Sequence, residues 1–213
     1  MATYLPPHHA ETDVDVLHAT IDAHPLGIWV TLGAGELLVN QVPFLLDRDR
    51  GAHGTLRCHV ARANAVWREL STTLDSVVVF AAESGYVTPS WYAAKAEHGR
   101  VVPTWNYVTV HAYGKPRVVE DRGWLRTLVG ELTQRHEAGR AVPWRVEDAP
   151  AEFVDRLCEA IVGIEIPIDR LVGKWKVSQN RPEADRRGVA AGLRAQGDDA
   201  SLALAAWVER TLR

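Results

Sequence analysis

The chain is poor in sulfur and in the plainest aromatic ring: its 213 residues include two cysteines, one methionine and three phenylalanines. Cys58 and Cys158 lie far apart and form no CxxC pair. That excludes a disulfide framework and a thioredoxin-type redox pair, and a reduced, cytoplasmic protein is the expectation. Long apolar runs are also missing. The longest, Val77–Ala82 and Leu202–Val208, fall far short of the roughly 20 residues a membrane helix needs. The opening MATYLPPHHAETD has neither a basic start nor an apolar stretch, so no secretory signal is expected. Nor is there an excess of positive charge. With 24 Lys plus Arg against 27 Asp plus Glu, the net charge is −3, which argues against duplex binding, where a basic surface displaces counterions. Several catalytic signatures are absent as well: no GxGxxG after a strand, no GxxxxGK[ST], no HExxH and no GxSxG elbow.

What is present is ordinary globular material, 46% apolar and 24% charged, at a length that suits one main core with appendages. Eight tryptophans stand out; Trp serves both packing and the covering of planar ligands. Helical spacing appears at Val14, Leu17 and Ile21, opened by Thr12 and Asp13 and stopped before Pro25. Ile28–Leu32 and Glu36–Val42 read as a hairpin around Gly33-Ala34-Gly35. Leu46–Gly54 reads as a polar loop, Thr55–Ala61 as a strand, Ala65–Leu70 as a short helix and Ser76–Ala82 as a buried strand. An irregular stretch with Pro89 and Pro103 follows. Asn106–Tyr113 and Lys115–Glu120 suggest a hairpin across Gly114, then helices Trp124–His136 and Glu152–Ile161. Ile164–Val177 reads as one or two strands, and Ala184–Arg194 and Ala200–Leu212 as closing helices. Consecutive strands without βαβ alternation predict an antiparallel α+β fold with a closed or nearly closed sheet.

Alternation along Thr55–Ala61 puts Leu56, Cys58 and Val60 on one face and Arg57 and His59 on the other. If the apolar set fills the core, His59 points away from it, either as a hydrogen-bonded surface residue or as an axial metal ligand. Arg62 and Asn64 follow at a strand-to-helix turn, a usual place for anion contacts. The stretch Thr88-Pro89-Ser90-Trp91-Tyr92, with Lys95, Trp105 and Asn106, mixes hydroxyls, rings, an amide and a cation. Such a mixture suits a flat cofactor with an anionic arm. Lys174-Trp175-Lys176-Val177-Ser178-Gln179-Asn180-Arg181 repeats that chemistry at a strand end. His8-His9 have no carboxylate cluster nearby, and Trp207 with Leu202, Leu204 and Val208 reads as a helix packing face. Residues 183–213 carry five Arg and five acidic residues, too neutral for a DNA-reading helix pair.

The runs GTLRCHVARAN (54–64), YVTPSWYAAKAEHGRVVPTWNYVTVHAYG (86–114), IVGIEIPI (161–168) and GKWKVSQNRPEADRRGV (173–189) resemble the PaiB family, described as FMN-binding negative transcriptional regulators. The likeness runs from about Tyr4 to Leu193. It implies a split β-barrel over residues 1–182 with inserted helices at 121–161, a C-terminal helical extension at 183–213, and a homodimer with cofactor sites at the interface. The same family includes haem-dependent piperazate synthases, which close side-chain N-hydroxylated ornithine through an N–N bond. On that resemblance the expectation is a haem b cyclase acting on a small amino-acid substrate without external reductant, with His59 as axial iron ligand. Arg62, Asn64, Ser90, Trp91, Trp105, Asn106 and Lys174 would line the cofactor, and Arg62, Lys95 and Tyr92 would serve catalysis. The alternative is an FMN-binding PaiB-type regulator or a flavin oxidoreductase. Two motifs depart from the family: Asn40-Gln41-Val42-Pro43 replaces an NHxP pattern, and Phe80-Ala81-Ala82-Glu83 replaces FQGP.

Overall fold

Ten strands and seven helices form antiparallel sheets in a computed structural model that describes residues 3–212. The strands are β1 (Ala10–Glu11), β2 (Leu26–Gly33), β3 (Glu36–Pro43), β4 (Leu45–Asp47), β5 (Thr55–Ala61), β6 (Ser76–Val87), β7 (Thr104–Gly114), β8 (Arg117–Val119), β9 (Ile161–Pro167) and β10 (Arg170–Lys176). The helices are α1 (Val14–Ala23), α2 (Val66–Glu69), α3 (Ala94–His98), α4 (Arg122–Glu137), α5 (Ala151–Glu159), α6 (Glu183–Gln196) and α7 (Asp199–Arg210). The chain divides into two units: unit 1 comprises Met1–Thr20, Ala81–Val110 and Val172–Arg213, and unit 2 comprises Ile21–Phe80 and His111–Leu171.

Unit 2 contains the hairpin of β2 and β3, paired from Leu26↔Pro43 to Gly33↔Glu36. Its turn residues Ala34 and Gly35 both have positive φ, 50° and 86°. That conformation matches the twist of a two-residue hairpin, and the alanine accepts it at some cost. β2 also pairs with the first part of β6. A second sheet runs in the order β4-β5-β9-β8. Alternation along β5 is as expected, with Leu56, Cys58 and Val60 buried and Arg57 and His59 half-buried. Leu45, Leu128 and Leu132 pack together beneath Trp124, and Val146, Val154 and Cys158 form a second apolar cluster. Gly163 on β9 allows Trp124 to lie directly on the strand, where a Cβ would run into its ring.

Unit 1 carries the sheet segment β1-β10-β7-β6 with α3, α6 and α7. α6 and α7 form a helical hairpin through Gly197, whose φ of 77° suits a glycine C-cap, and Asp198 caps α7 by accepting from the Ser201 N–H at 2.9 Å. Leu193, Leu204 and Val208 are fully buried.

Three local expectations need correction. The segment 46–54 is not all loop, because Leu45–Asp47 pairs with Thr55–Arg57 as β4. The strand at Ser76 continues to Val87. β7 and β8 are not a hairpin: β7 lies beside β6 and β10, whereas β8 pairs with β9. Pro116 removes a ladder donor between them, and Gly114 passes so close to the Pro167 carbonyl that a Cβ could not fit, so the chain leaves one sheet and joins the other.

Candidate functional site

The residues nominated from sequence fall in both units. In unit 2, Arg62 is fully engaged. Its Nε donates to the Glu159 carbonyl (2.9 Å), Nη1 to Glu120 (2.7 Å) and Nη2 to the Ile161 carbonyl (3.2 Å). Asn64 donates to Asn40 Oδ1 at 2.8 Å and accepts the Val66 N–H at 3.0 Å, which opens α2. Both side chains hold the end of β5 in place. His59 differs. Its Nδ1 is buried and has no hydrogen-bond partner, and burial lowers its pKa, so the ring is neutral at ordinary pH. Its register partner is Gly163, the residue on which Trp124 rests. Two positions along the same face, Arg57 pairs with Glu131 of α4 at 2.7 Å while its Nε stays unpartnered. Beside it, burial raises the Glu165 carboxyl, but the hydrogen bond from Arg50 (2.6 Å) and that from Trp124 Nε1 (3.2 Å) hold it below its usual range. Helix α4 thus covers the face of β5 and β9 that alternation had pointed away from the apolar core.

In unit 1 the other nominated residues divide by what they touch. Trp91 ends the 3-10 turn Pro89–Trp91, which Thr88 opens by accepting the Ser90 N–H at 3.3 Å. Its ring lies on α6 at Gly192 and its carbonyl over Gly188; a Cβ at either glycine would overlap it. Trp91 is therefore an anchor for the loop. Ser90 Oγ accepts from Lys95 Nζ at 3.0 Å. Trp105 is exposed, in edge contact with Tyr86. Lys174 reaches the Tyr4 carbonyl at 2.9 Å and sits over the Tyr4 and Tyr107 rings.

Tyr92 and Asn106, by contrast, line a cavity of about 50 Å³ together with Thr104, Lys176, Ser178 and Arg181. Asn106 is 1% exposed and donates from Nδ2 to Ser178 Oγ at 3.0 Å. Ser178 has φ of 69°, a left-handed conformation uncommon for a non-glycine residue. Tyr92 is 3% exposed, and its hydroxyl has no hydrogen-bond partner. Burial raises the pKa of the phenol, while the charge of Arg181, whose guanidinium carbon lies 4.9 Å from the ring centre, pulls it down. The hydroxyl stays protonated and can donate. Lys176 donates to Thr104 Oγ1 and, at 2.5 Å, to the Trp105 carbonyl. Burial and the neighbouring charges of Lys174 and Arg181 lower its pKa. Two crowded cations, an idle buried hydroxyl and further polar hydrogens converge on room for one small anion. Sequence reading marked the stretch 174–181 as basic but singled out Lys174. Period-two alternation puts Lys174 and Lys176 on one face and so could not separate them.

A larger hollow of about 860 Å³ follows α4 in unit 2, bordered by Gly123, Thr127, Gly130 and Trp144. Two charged side chains on its border are already paired, Arg126 with Asp155 and Glu131 with Arg57.

Comparison with known proteins fits this picture. The family described as "Putative FMN-binding domain" matches residues 3–170. The chain belongs to this FMN-binding family. A Bacillus subtilis relative, "Protease synthase and sporulation protein PAI 2", is 26% identical over 99% of this chain and 98% of its own. An uncharacterised protein of Emericella nidulans is 35% identical over 95% of this chain and 94% of its own. Among solved structures, the flavocytochrome Anf3 of Azotobacter vinelandii matches with a TM-score of 0.58 at 17% identity, over 81% of this chain and 72% of that one. The FAD and heme binding protein of Mycobacterium smegmatis also matches at 0.58 and 17%, over 86% and 80%. These likenesses show the fold: the antiparallel α+β architecture expected from the strands, in the split β-barrel form that the resemblance implied.

Proposed function

We propose that this chain is an FMN-binding protein of the PaiB type and that unit 1 holds the phosphate end of the flavin. The observation that carries the reading is the cavity where Lys176 and Arg181 meet the buried, unpartnered hydroxyl of Tyr92. A phosphate monoester brings nearly two negative charges and strong acceptor oxygens. Lys176 and Arg181 would balance its charge, while Tyr92 and Asn180 would donate to its oxygens. A cavity of about 50 Å³ suits that end of the ligand and is far smaller than the ~300 Å³ at which whole-ligand pockets begin. Bound flavin would supply hydride and one-electron chemistry; the residues named here bind and orient it. Fluorescence titration should show FMN binding more tightly than riboflavin. Equal affinities would remove the phosphate role, and no binding of either flavin would remove the whole reading.

In a second reading His59 would hold the iron of haem b, in a cyclase that would convert N-hydroxylated ornithine to piperazate. It is favoured by the buried, neutral ring with Nδ1 lacking a partner, the protonation state a metal ligand needs. Proteins of like fold described as a flavocytochrome and as an FAD and heme binding protein lend it context. Adding haemin separates the readings: a Soret band lost in His59→Ala supports this one, and no Soret band in the unaltered protein ends it. The expected homodimer belongs to either reading. In unit 2, Leu37 and Val39 on edge strand β3 are 70% and 55% exposed, and a twofold contact would cover them; a monomer by light scattering would remove it.

A further inference from the structure

Resting on the phosphate reading of unit 1, we infer that His9 is a positioning residue of that seat, acting through Gln179. Gln179 belongs to the same turn as Ser178 and Arg181, and Ser178 accepts the Arg181 N–H there at 3.0 Å. Its side chain folds back on its own strand: Oε1 accepts the Val177 N–H at 2.9 Å, and Nε2 donates to the Trp175 carbonyl. The same Oε1 takes one more contact, from His9 Nδ1 at 2.9 Å, across 170 positions of sequence. Since Oε1 is an acceptor, His9 carries its proton on Nδ1.

His9 is 6% exposed and is held where it is by several independent contacts. Its N–H bonds to the Pro6 carbonyl at 2.9 Å, and the next residues, Ala10 and Glu11, pair with Lys174 and Gly173 as β1. Lys174 fastens the segment again through the Tyr4 carbonyl. Gly173 leaves room for both Leu17 and the Glu11 carbonyl, where a Cβ would not fit. The N-terminal segment is thereby laid along the edge of β10, with one imidazole aimed at the amide that shapes the turn. Ser178 sits in that turn in a left-handed conformation, which the chain adopts only when neighbours impose it. Removing the His9 donor takes away one of the three bonds that fix the Gln179 side chain and loosens the places of Ser178 and Arg181 around the cavity.

The test uses the full chain and two substitutions. His9→Phe keeps a ring but loses the donor; His9→Asn returns an N–H close to the Nδ1 position. His9→Phe should weaken FMN about tenfold while riboflavin affinity stays constant, and His9→Asn should recover most of the loss. Equal weakening of both flavins would reduce His9 to a general packing residue and overturn the inference, as would an unchanged FMN preference in His9→Phe. Failure of the phosphate reading looks different: the unaltered chain would itself bind FMN and riboflavin alike, and the positioning role would fall with it. Should His9→Phe fail to fold, the same link is tested from its other end, at Gln179. Gln179→Met removes the acceptor oxygen that His9 reaches and adds no charge, and a retained FMN preference in it would overturn the inference.

Discussion

Two stretches dense in polar side chains meet opposite fates in this molecule. After β5 in unit 2, Arg62 and Asn64 are tied to carbonyls, a carboxylate and an amide of their own unit. Around the turn at 178–181 in unit 1, Lys176 and Arg181 crowd each other, and the Tyr92 hydroxyl has nothing to bond. Composition alone made the two look alike. The difference lies in whether the protein itself satisfies its polar groups, because a buried donor left idle costs about 1–3 kcal/mol unless a ligand or water takes it. His59, with its unpartnered Nδ1, is the exception that leaves unit 2 a place in the comparison.

The widest separation of the two units should come from filling a glycine in each. Gly192→Val in unit 1 and Gly163→Val in unit 2 both push against a tryptophan, Trp91 and Trp124 respectively. Each should cost about 2–3 kcal/mol in denaturant unfolding, but only Gly192→Val should also weaken FMN, since it displaces the loop that carries Tyr92. Loss of FMN binding in both variants, or in neither, would break the distinction.

Next in size, Lys176→Met should weaken FMN by about 10- to 100-fold by titration, the range for losing a hydrogen bond to a charged group. Arg62→Met should leave FMN affinity within about twofold and cost stability instead. A smaller effect is expected from Tyr92→Phe. Removing an idle hydroxyl should leave the free protein as stable as before, or slightly more so, and lower FMN affinity severalfold. Greater destabilisation than about 1 kcal/mol would mean that the hydroxyl already has a partner.

The smallest effect concerns acid. Burial lowers the His59 pKa from its ordinary 6.5, so below pH 6.5 the unfolded chain takes up a proton that the folded chain resists. Stability from this group is therefore complete above pH 6.5 and declines as pH falls toward the folded value, by less than about 1 kcal/mol from pH 7 to 6. His59→Phe should flatten that part of the pH profile in chemical denaturation, and an unchanged slope would show that the ring titrates freely. His9 adds a slope of the same sign from unit 1, its pKa lowered by burial and by the neighbouring charges of His8, Lys176 and Lys174 against the pull of Gln179.

Much of this was legible in the sequence. Thr55–Ala61 has the predicted limits and the predicted alternation, because a half-buried strand writes its faces in period two. The loop at 88–92 and the run at 174–181 were both marked for their chemistry. What the sequence concealed depends on distant parts of the chain. Helix α4 covers His59's side of β5 from more than 60 residues away, and no local pattern announces it. The turn to β8 reads as a hairpin until β9 is known to be its partner. Trp91 looks like a stacking ring because the glycines that receive it, Gly188 and Gly192, lie about 100 residues further on in α6.

Unit 1 is assembled from three separate pieces of chain, Met1–Thr20, Ala81–Val110 and Val172–Arg213, and this bears on how the protein is made. A ribosome delivers residues in order, at roughly 5–20 per second. Unit 2 has all its strands once Leu171 has been synthesised, whereas the cavity then lacks Lys176, Ser178 and Arg181, and the Trp91 loop lacks the helix it rests on. His9 waits for Gln179, 170 positions further along the chain. The cavity thus closes only after unit 2 has all its residues, and in a nascent chain halted before Val172 it cannot form.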